Sequence, residues 1–139
     1  MTIVFASCSK DSPNYATDTS SSIIGTSNVN AKTNTDVVFF ETANYLSNAT
    51  TYQIKVSSTL NATVKYKTSI TASPVAFFNP LVLNTYSPIV GSSLNQTSKY
   101  IRFNLKYNSP VVGSDIVVFS VKDATGKVIE KTINIVVKP

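Results

Sequence analysis

The stretch Ile101-Arg102-Phe103-Asn104-Leu105-Lys106-Tyr107 decides the fold class of this chain. Apolar and polar side chains alternate strictly along it, and successive side chains of a β-strand point to opposite faces of the sheet. The pattern therefore predicts an amphipathic strand with one buried face and one face in solvent. The turn-forming tripeptide Asn108-Ser109-Pro110 ends the strand.

Downstream of this stretch the sequence predicts two more strands and a tight turn. Residues 116–119 are apolar on both faces, which indicates a central strand. Residues 123–126 read Asp-Ala-Thr-Gly, a turn pattern in which Gly126 can take a positive φ. The last strand has an apolar face that Lys131 interrupts, formed by Ile129, Ile133, Ile135 and Val137.

Upstream, the same reading predicts a buried strand and a hairpin. Residues 36–41 form a short apolar run bounded by acids, as in a buried strand. Residues 52–56 and 64–70 both alternate with period two, and the polar connection 58–61 lies between them. Alternation on both sides of a short polar connection is a β-hairpin signal.

Residues 75–90 are apolar but interrupted by Pro80 and Pro88. Because proline cannot donate a hydrogen bond to a sheet, this segment is predicted to form edge or bent strands. No window shows sustained helical spacing, and seven or eight short strand patterns are separated by polar turns. This combination predicts an all-β fold, an antiparallel two-sheet sandwich.

The end of the chain carries a resemblance that refines this fold class. A strand is followed by Asp-Ala-Thr-Gly-Lys at 123–127 and then by Thr132-Ile133-Asn134-Ile135-Val136-Val137. This pattern resembles the last hairpin of bacterial immunoglobulin-like and fibronectin-III-like modules. The resemblance implies an immunoglobulin-like sandwich, without the Cys–Trp–Cys core of antibody domains, since the chain has one Cys and no Trp.

Composition excludes several classes of function. With no histidine and one cysteine, the chain cannot form a Ser-His-Asp or Cys-His triad, a His-based metal site, a multi-thiolate zinc site or an internal disulfide. Neither a metal nor a cofactor is therefore expected. The net charge of +5 is modest and Arg102 is the only arginine, so nucleic acid is not an expected partner.

The N-terminal residues Phe5-Ala6-Ser7-Cys8 are the one stretch with specific chemical meaning. A short apolar run that ends in small residues before a cysteine resembles the end of a bacterial lipoprotein signal peptide, which implies that Cys8 carries the lipid. The following Ser9-Lys10-Asp11 resembles the start of many Bacteroidetes outer-membrane lipoproteins. In that group a short acidic motif after the cysteine can mark export to the cell surface, and the resemblance implies this role for Lys10 and Asp11.

Residues 12–35 are polar and low in complexity, and they cannot bury enough apolar surface to offset the entropy of ordering them. Ile23-Ile24 is the main apolar interruption. It is either a short strand on the edge of the domain or an apolar spot in a flexible linker. The predicted organisation is a truncated signal-peptide-like segment at 1–7, a lipid-anchor cysteine with a flexible linker at 8–35, and a β-sandwich domain at 36–139.

Five cations occupy outward-facing positions of three predicted strands: Lys55, Lys65, Lys67, Arg102 and Lys106. If these strands share one sheet, the cations form a basic face suited to an anionic glycan, a lipopolysaccharide phosphate or an acidic protein. The alternative is a solvated sheet face on which lysines block edge-to-edge pairing.

Tyrosines could build a platform that stacks sugars. Three of them, however, fall on the inward phase of their strands and are predicted to pack in the core: Tyr52, Tyr66 and Tyr107. Three others lie near predicted strand ends or loops and are predicted to be more exposed: Tyr45, Tyr86 and Tyr100.

Two pairs of acids come nearest to a catalytic constellation, Asp36 with Glu41 and Asp115 with Asp123. A glycosidase needs its two carboxyl groups about 5–10 Å apart. Each of these acids sits where strand ends and turns usually carry acids, so the chain is predicted not to be an enzyme.

The sequence therefore predicts a non-catalytic, lipid-anchored cell-envelope protein, a binding or accessory subunit of an outer-membrane or surface assembly. Its expected partners are the membrane, reached through the lipid on Cys8, a protein of the envelope and, as a further option, a glycan. The expected location is the outer membrane, with or without exposure at the cell surface. Two alternatives stay open: a carbohydrate-binding domain for glycan capture, and a structural module of an extracellular filament, adhesin or virion.

Overall fold

The computed structural model describes residues 21–44, 51–68, 77–89 and 100–139. These ranges contain nine strands and no helix. The strands are β1 (Ser22–Gly25), β2 (Asn28–Lys32), β3 (Val37–Asn44), β4 (Tyr52–Ser58), β5 (Thr63–Thr68), β6 (Ser87–Pro88), β7 (Tyr100–Asn108), β8 (Gly113–Asp123) and β9 (Val128–Lys138).

The strands form a four-stranded sheet in the order β1-β3-β7-β5 and a five-stranded sheet in the order β2-β9-β8-β4-β6. All pairings are antiparallel except that of β2 with β9, which is parallel. Without β2 and β6, seven strands remain. In chain order, the first, second, fifth and fourth of these (β1, β3, β7 and β5) form one sheet. The third, sixth and seventh (β4, β8 and β9) form the facing sheet. This is the constant-type immunoglobulin arrangement, so the predicted all-β, immunoglobulin-like sandwich is confirmed.

The core lies between the two sheets and is built from alternate residues of the central strands. Along β7 the inward side chains Ile101, Phe103, Leu105 and Tyr107 are at most 1% exposed. Phe103 meets Phe119 of β8 edge-on, with ring centroids 5.0 Å apart. The alternation along β7 therefore marks the interface between the sheets, and β8 is central as predicted.

The N-terminal boundary of the sandwich differs from the prediction. Residues 22–32, expected in a flexible linker, form β1 and β2, and each strand buries one apolar side chain, Ile23 or Val29, in the core. β1 pairs with β3, and β2 adds five residue pairs to β9. The predicted domain start at residue 36 is therefore wrong, because a mostly polar segment can satisfy its backbone groups at the edge of an existing sheet.

The predicted β4–β5 hairpin is also wrong, because the two strands lie in different sheets. β4 pairs with β8, and β5 pairs with β7. Between them, Asn61 has a positive φ of 53°, and Asn61 N–H donates to Ser58 O at 3.2 Å. Alternation is the same for a strand in either sheet, so the local pattern could not tell a hairpin from a crossover.

Residues 77–89 close one side of the sandwich. Phe78 N–H and Leu81 N–H donate to the β5 carbonyls of Tyr66 and Val64, each at 2.9 Å. Further along, Asn84 N–H donates to Val56 O of β4 at 2.9 Å. The segment thus runs from the edge of one sheet to the other, consistent with the edge or bent strands predicted there.

Candidate binding face

The outer surface of the four-stranded sheet carries the candidate site. Its side chains alternate with core residues along β3, β5 and β7, so they point away from the sandwich. We call it the basic face and define it by its four cations and its three exposed apolar residues: Lys65, Lys67, Arg102, Lys106, Ile24, Val38 and Phe40.

Three lysines of the basic face are neighbours. Lys65 on β5 lies directly opposite Lys106 on β7, and Lys67 is two residues further along β5. Like charges directly opposite each other on a sheet are destabilising. The chain therefore places positive charge here against the preference of the isolated sheet.

An aromatic ring partly offsets this repulsion. Phe77 lies over the sheet with its ring centroid 4.8 Å from Lys67 Nζ and 4.4 Å from Lys106 Nζ. The negative face of an aromatic ring attracts ammonium groups. Phe77 thus holds two of the three lysines close together. It was missed because residues 75–90 show no clean alternation from which a facing could be read.

The apolar half of the basic face lies beside the charged half. Ile24, Val38 and Phe40 are 59%, 44% and 53% exposed. Phe40 pairs across the sheet with Asn104, which in turn pairs with Lys67. Exposed apolar side chains and ammonium groups therefore share one continuous surface.

Acids within the described ranges lie mostly elsewhere. Asp36 is at one end of the basic face, where it accepts a hydrogen bond from Asn108 Nδ2 at 2.8 Å. Glu41 and Asp115 are buried, and Asp123 accepts from the Thr125 and Lys127 backbone N–H groups in its own turn. In that turn Gly126 has a φ of +91°, as predicted.

Lys55 does not belong to the basic face. It lies on β4 in the five-stranded sheet, so the five predicted cations do not share a surface. On that sheet Tyr86 has its ring centroid 4.7 Å from Lys55 Nζ and 4.1 Å from Lys122 Nζ. Each sheet therefore has two lysines around one aromatic ring, and both rings come from residues 77–89.

The predicted lipidation and export residues Cys8, Lys10 and Asp11 lie outside the described residues.

Asp115 is a structural acid in the sandwich interior. Its Oδ2 accepts from Ser58 Oγ and Tyr107 Oη, each at 2.6 Å. Its Oδ1 accepts from Thr59 N–H at 2.8 Å, Thr59 Oγ1 at 3.1 Å and Leu60 N–H at 3.4 Å. Burial, followed by the hydrogen bond and the charge of Asp115, raises the pKa of the Tyr107 hydroxyl. This carboxylate ties the β4–β5 crossover to β7 and β8.

Glu41 and Lys131 form an ion pair between the two sheets. Lys131 Nζ on β9 is 2.9 Å from Glu41 Oε1 on β3, and the two side chains are 13% and 0% exposed. Burial raises the pKa of Glu41, while Lys131 and the Thr26 backbone N–H act in the opposite direction. The pair explains why a lysine interrupts the apolar face of the last strand. Glu41 was predicted as a boundary acid, although it is in phase with the inward residues Phe39 and Ala43.

The two pairs of acids that come nearest to a catalytic constellation are too far apart to form one. Asp115 and Asp123 lie eight residues apart on the single strand β8, or about 26 Å along an extended chain. Glu41 is five residues beyond Asp36, with β3 running between them, which separates them by about 16 Å. Both separations exceed the range in which two carboxyl groups cooperate in glycoside hydrolysis.

The tyrosine predictions hold where the structure describes them. Tyr52, Tyr66 and Tyr107 are buried in the core, whereas Tyr86 and Tyr100 are partly exposed. Tyr45 lies outside the described residues.

A shallow, mostly apolar cleft of ≈ 300 Å³ opens between β5 and residues 78–88, and Tyr66, Phe78 and Leu81 are among the residues that line it.

Two kinds of feature are absent from the described ranges. No three His, Cys, Asp or Glu side chains there are grouped so that they could hold a metal ion. None of these ranges contains a helix with the length and apolar character needed to cross a membrane.

No protein-family model matches the chain, and no curated protein sequence matches it. The chain is similar to solved structures. A lipoprotein from Bacteroides thetaiotaomicron is 18% identical with a TM-score of 0.54, covering 84% of this chain and 78% of that one. A conjugative transposon lipoprotein from Bacteroides eggerthii is 11% identical with a TM-score of 0.49, covering 83% of this chain and 95% of that one.

At these identities the comparisons concern the fold alone. The chain is an immunoglobulin-like β-sandwich, and the first of these lipoproteins has a similar architecture. The sequence resemblance to Bacteroidetes lipoproteins with such a domain is therefore confirmed at the level of the fold.

Proposed function

We propose that this protein is a non-catalytic, lipid-anchored protein of a Bacteroidetes-type cell envelope, an accessory subunit that binds an anionic partner through the basic face. The observation that carries the binding role is the cluster of Lys65, Lys67 and Lys106 under Phe77. Four cations on one sheet face, with a single described acid at its end, create a positive potential that attracts anions.

The anchor is supported by the sequence Phe5-Ala6-Ser7-Cys8. Attachment of acyl chains to Cys8 contributes about 0.8 kcal/mol per buried CH₂, and two or more chains make anchoring stable. Lys10 and Asp11 lie two and three residues after Cys8 and are proposed to direct the lipoprotein to the outer membrane and its surface. The three buried carboxylates, Glu41, Asp115 and Asp123, have structural partners, which supports a role in binding rather than catalysis.

Fatty-acid labelling tests the anchor. Cells that express the chain behind a lipoprotein signal peptide are grown with a labelled fatty acid, and the wild type is compared with Cys8→Ala. We expect label and membrane fractionation for the wild type, and an unlabelled, released Cys8→Ala protein. Equal labelling of the two proteins, or none in either, would refute the anchor.

Protease shaving of intact cells tests the export role. Asp11→Ala should retain the label but lose accessibility to external protease, whereas Asp18→Ala serves as the control with the same change of charge. If the wild type, Asp11→Ala and Asp18→Ala were equally accessible to the protease, Lys10 and Asp11 would not be an export signal.

A further inference from the structure

We propose that the basic face lies flat against anionic phospholipid headgroups of the membrane to which the chain is anchored. The location rests on the proposed anchor at Cys8, whereas the affinity comes from the face itself. Three independent features of the molecule support this orientation: the charge of the face, its apolar half, and the edge at which the chain enters the sheet.

The charge of the face suits a surface of phosphates. Lys65 and Lys106 are directly opposite each other, and Lys67 lies beside them, so several ammonium groups lie at similar depth. Attraction to an anionic bilayer falls off within a Debye length, about 8 Å at physiological salt, so only cations on a common face act together. The outer surface of a sheet is such a face.

The apolar half separates a membrane from a soluble anion as the partner. Ile24, Val38 and Phe40 are exposed beside the lysines. A soluble polyanion would use the charges and leave these side chains in water. At a bilayer interface, binding grows both with buried apolar area and with attraction to anionic lipids, so both halves of the face contribute.

The path of the chain keeps this face within reach of the bilayer. β1, which contributes Ile24, is the edge strand of the four-stranded sheet and begins at Ser22. Residues 9–21 connect it to Cys8, and these thirteen residues can span at most about 45 Å even when fully extended. A domain of this size is about 35 Å across. The anchor therefore keeps the near edge of the sandwich within about 45 Å of the lipid, and the chain enters at an edge of the sheet that bears the face.

The five-stranded sheet provides a matched control. Lys55 and Lys122 surround Tyr86 there as Lys67 and Lys106 surround Phe77. Replacing both lysines of either pair by glutamate changes the net charge by the same amount and removes two contacts between an ammonium group and an aromatic ring. Ile116, half exposed on the outer side of β8, serves as the control position for Phe40.

Vesicle sedimentation with the unlipidated full chain, Cys8→Ser, tests the charge of the face. We expect binding to phosphatidylcholine vesicles that contain phosphatidylglycerol, weakening with salt, and little binding to phosphatidylcholine alone. Lys67→Glu/Lys106→Glu should weaken binding about tenfold or more, and Lys55→Glu/Lys122→Glu less than about threefold. Equal losses in the two variants, or no binding to anionic vesicles, would overturn the proposal. Retention on poly-glutamate without vesicle binding would assign the face to an acidic protein instead.

Fluorescence tests the orientation, because the natural chain has no tryptophan. Phe40→Trp should give an emission that shifts to the blue and is quenched by brominated lipid when anionic vesicles are added. Ile116→Trp on the opposite sheet should not respond. A response from Ile116→Trp equal to or larger than that of Phe40→Trp would contradict the proposed orientation.

The anchor and the face can fail separately. Fatty-acid labelling reports on Cys8 whatever the face does, and vesicle binding of Cys8→Ser reports on the face without lipid. Vesicle binding without labelling would support the face and remove the anchor. Labelling without vesicle binding would leave the anchor and overturn the inference about the face.

Discussion

Asp115 and Glu41 are both shielded from solvent, yet the interior accommodates them differently. Asp115 accepts five hydrogen bonds, from the end of β4, the β4–β5 crossover and β7. Glu41 is paired with Lys131 on the facing sheet, and the Thr26 backbone N–H also acts on its carboxylate. A buried carboxylate is costly unless hydrogen bonds or an opposite charge replace its hydration.

The difference shows which acid determines the topology. The donors to Asp115 come from segments far apart in sequence, so its network holds the crossover that sends β5 to the other sheet. The Glu41–Lys131 pair joins two strands that already face each other across the core. A buried ion pair often adds little stability over well-packed apolar residues, and so we expect replacement of Asp115 to have the larger effect.

Removal of the Asp115 carboxylate should cause the largest loss of stability. Asp115→Ala leaves several donors without an acceptor, and we expect the free energy of unfolding to fall by about 4–6 kcal/mol. Tyr107→Phe, which removes one of the five hydrogen bonds, should cost about 1–2 kcal/mol. Urea denaturation measures both. If Asp115→Ala lost less stability than Tyr107→Phe, the hydrogen-bond network would not be what holds the crossover.

Removal of one partner of the ion pair should rank second. Lys131→Met leaves the Glu41 carboxylate buried without its counter-ion, at an expected cost of about 3–5 kcal/mol. The double variant Glu41→Leu/Lys131→Met has no buried charge at this point and should be within about 1 kcal/mol of the wild type. A double variant as unstable as Lys131→Met would mean that packing, not charge, determines the effect.

Gly25 tests how closely β1 approaches the Phe40 backbone and the Glu41 side chain of β3. A Cβ at this position would overlap the Phe40 carbonyl oxygen and lie 2.8 Å from Glu41 Oε1. Because a backbone oxygen of a paired strand cannot move aside, Gly25→Ala should cost about 2–3 kcal/mol. For comparison, Gly126→Ala meets no atom within 4 Å and should cost about 1 kcal/mol for its positive φ alone. Equal losses at the two positions would count against the tight site.

The pH dependence of stability should show the smallest effect. Burial raises the pKa of Glu41 above its ordinary value of 4.5, so the folded state binds the proton more tightly than the unfolded chain does. The stabilisation from this proton is complete below pH 4.5 and is lost as the pH rises through the folded-state pKa. The free energy of unfolding of the wild type should therefore decline over this range relative to that of Glu41→Gln. Parallel profiles for the two proteins would contradict the raised pKa.

Sequence patterns predicted the parts of the fold that repeat locally. Strict alternation in Ile101–Tyr107 identified the strand that packs on both neighbours and lines the core, and Asp123–Gly126 identified a turn. The inward phase of Tyr52 and Tyr66 could be counted in the same way. Each of these properties depends only on the period of a strand or on the φ that a residue tolerates.

Part of the candidate site could not be predicted in this way. Lys65, Lys67 and Lys106 were correctly assigned to outward positions, but Lys55 was grouped with them because alternation does not say to which sheet a strand belongs. Phe77 lies in a segment without a period, so nothing in its neighbourhood indicated that its ring would cover two lysines.

By itself the sequence determined an all-β chain, the inward and outward phase of its long strands, the absence of histidine chemistry and the single cysteine that is proposed to bear lipid. The tertiary structure decided that β4 and β5 separate, that β1 and β2 join the sandwich, and which cations share a face. The physical reason is that phase depends on neighbours in sequence, whereas sheet membership depends on partners far along the chain. Asp115 and its donors, and Glu41 with Lys131, meet only when both sheets have formed.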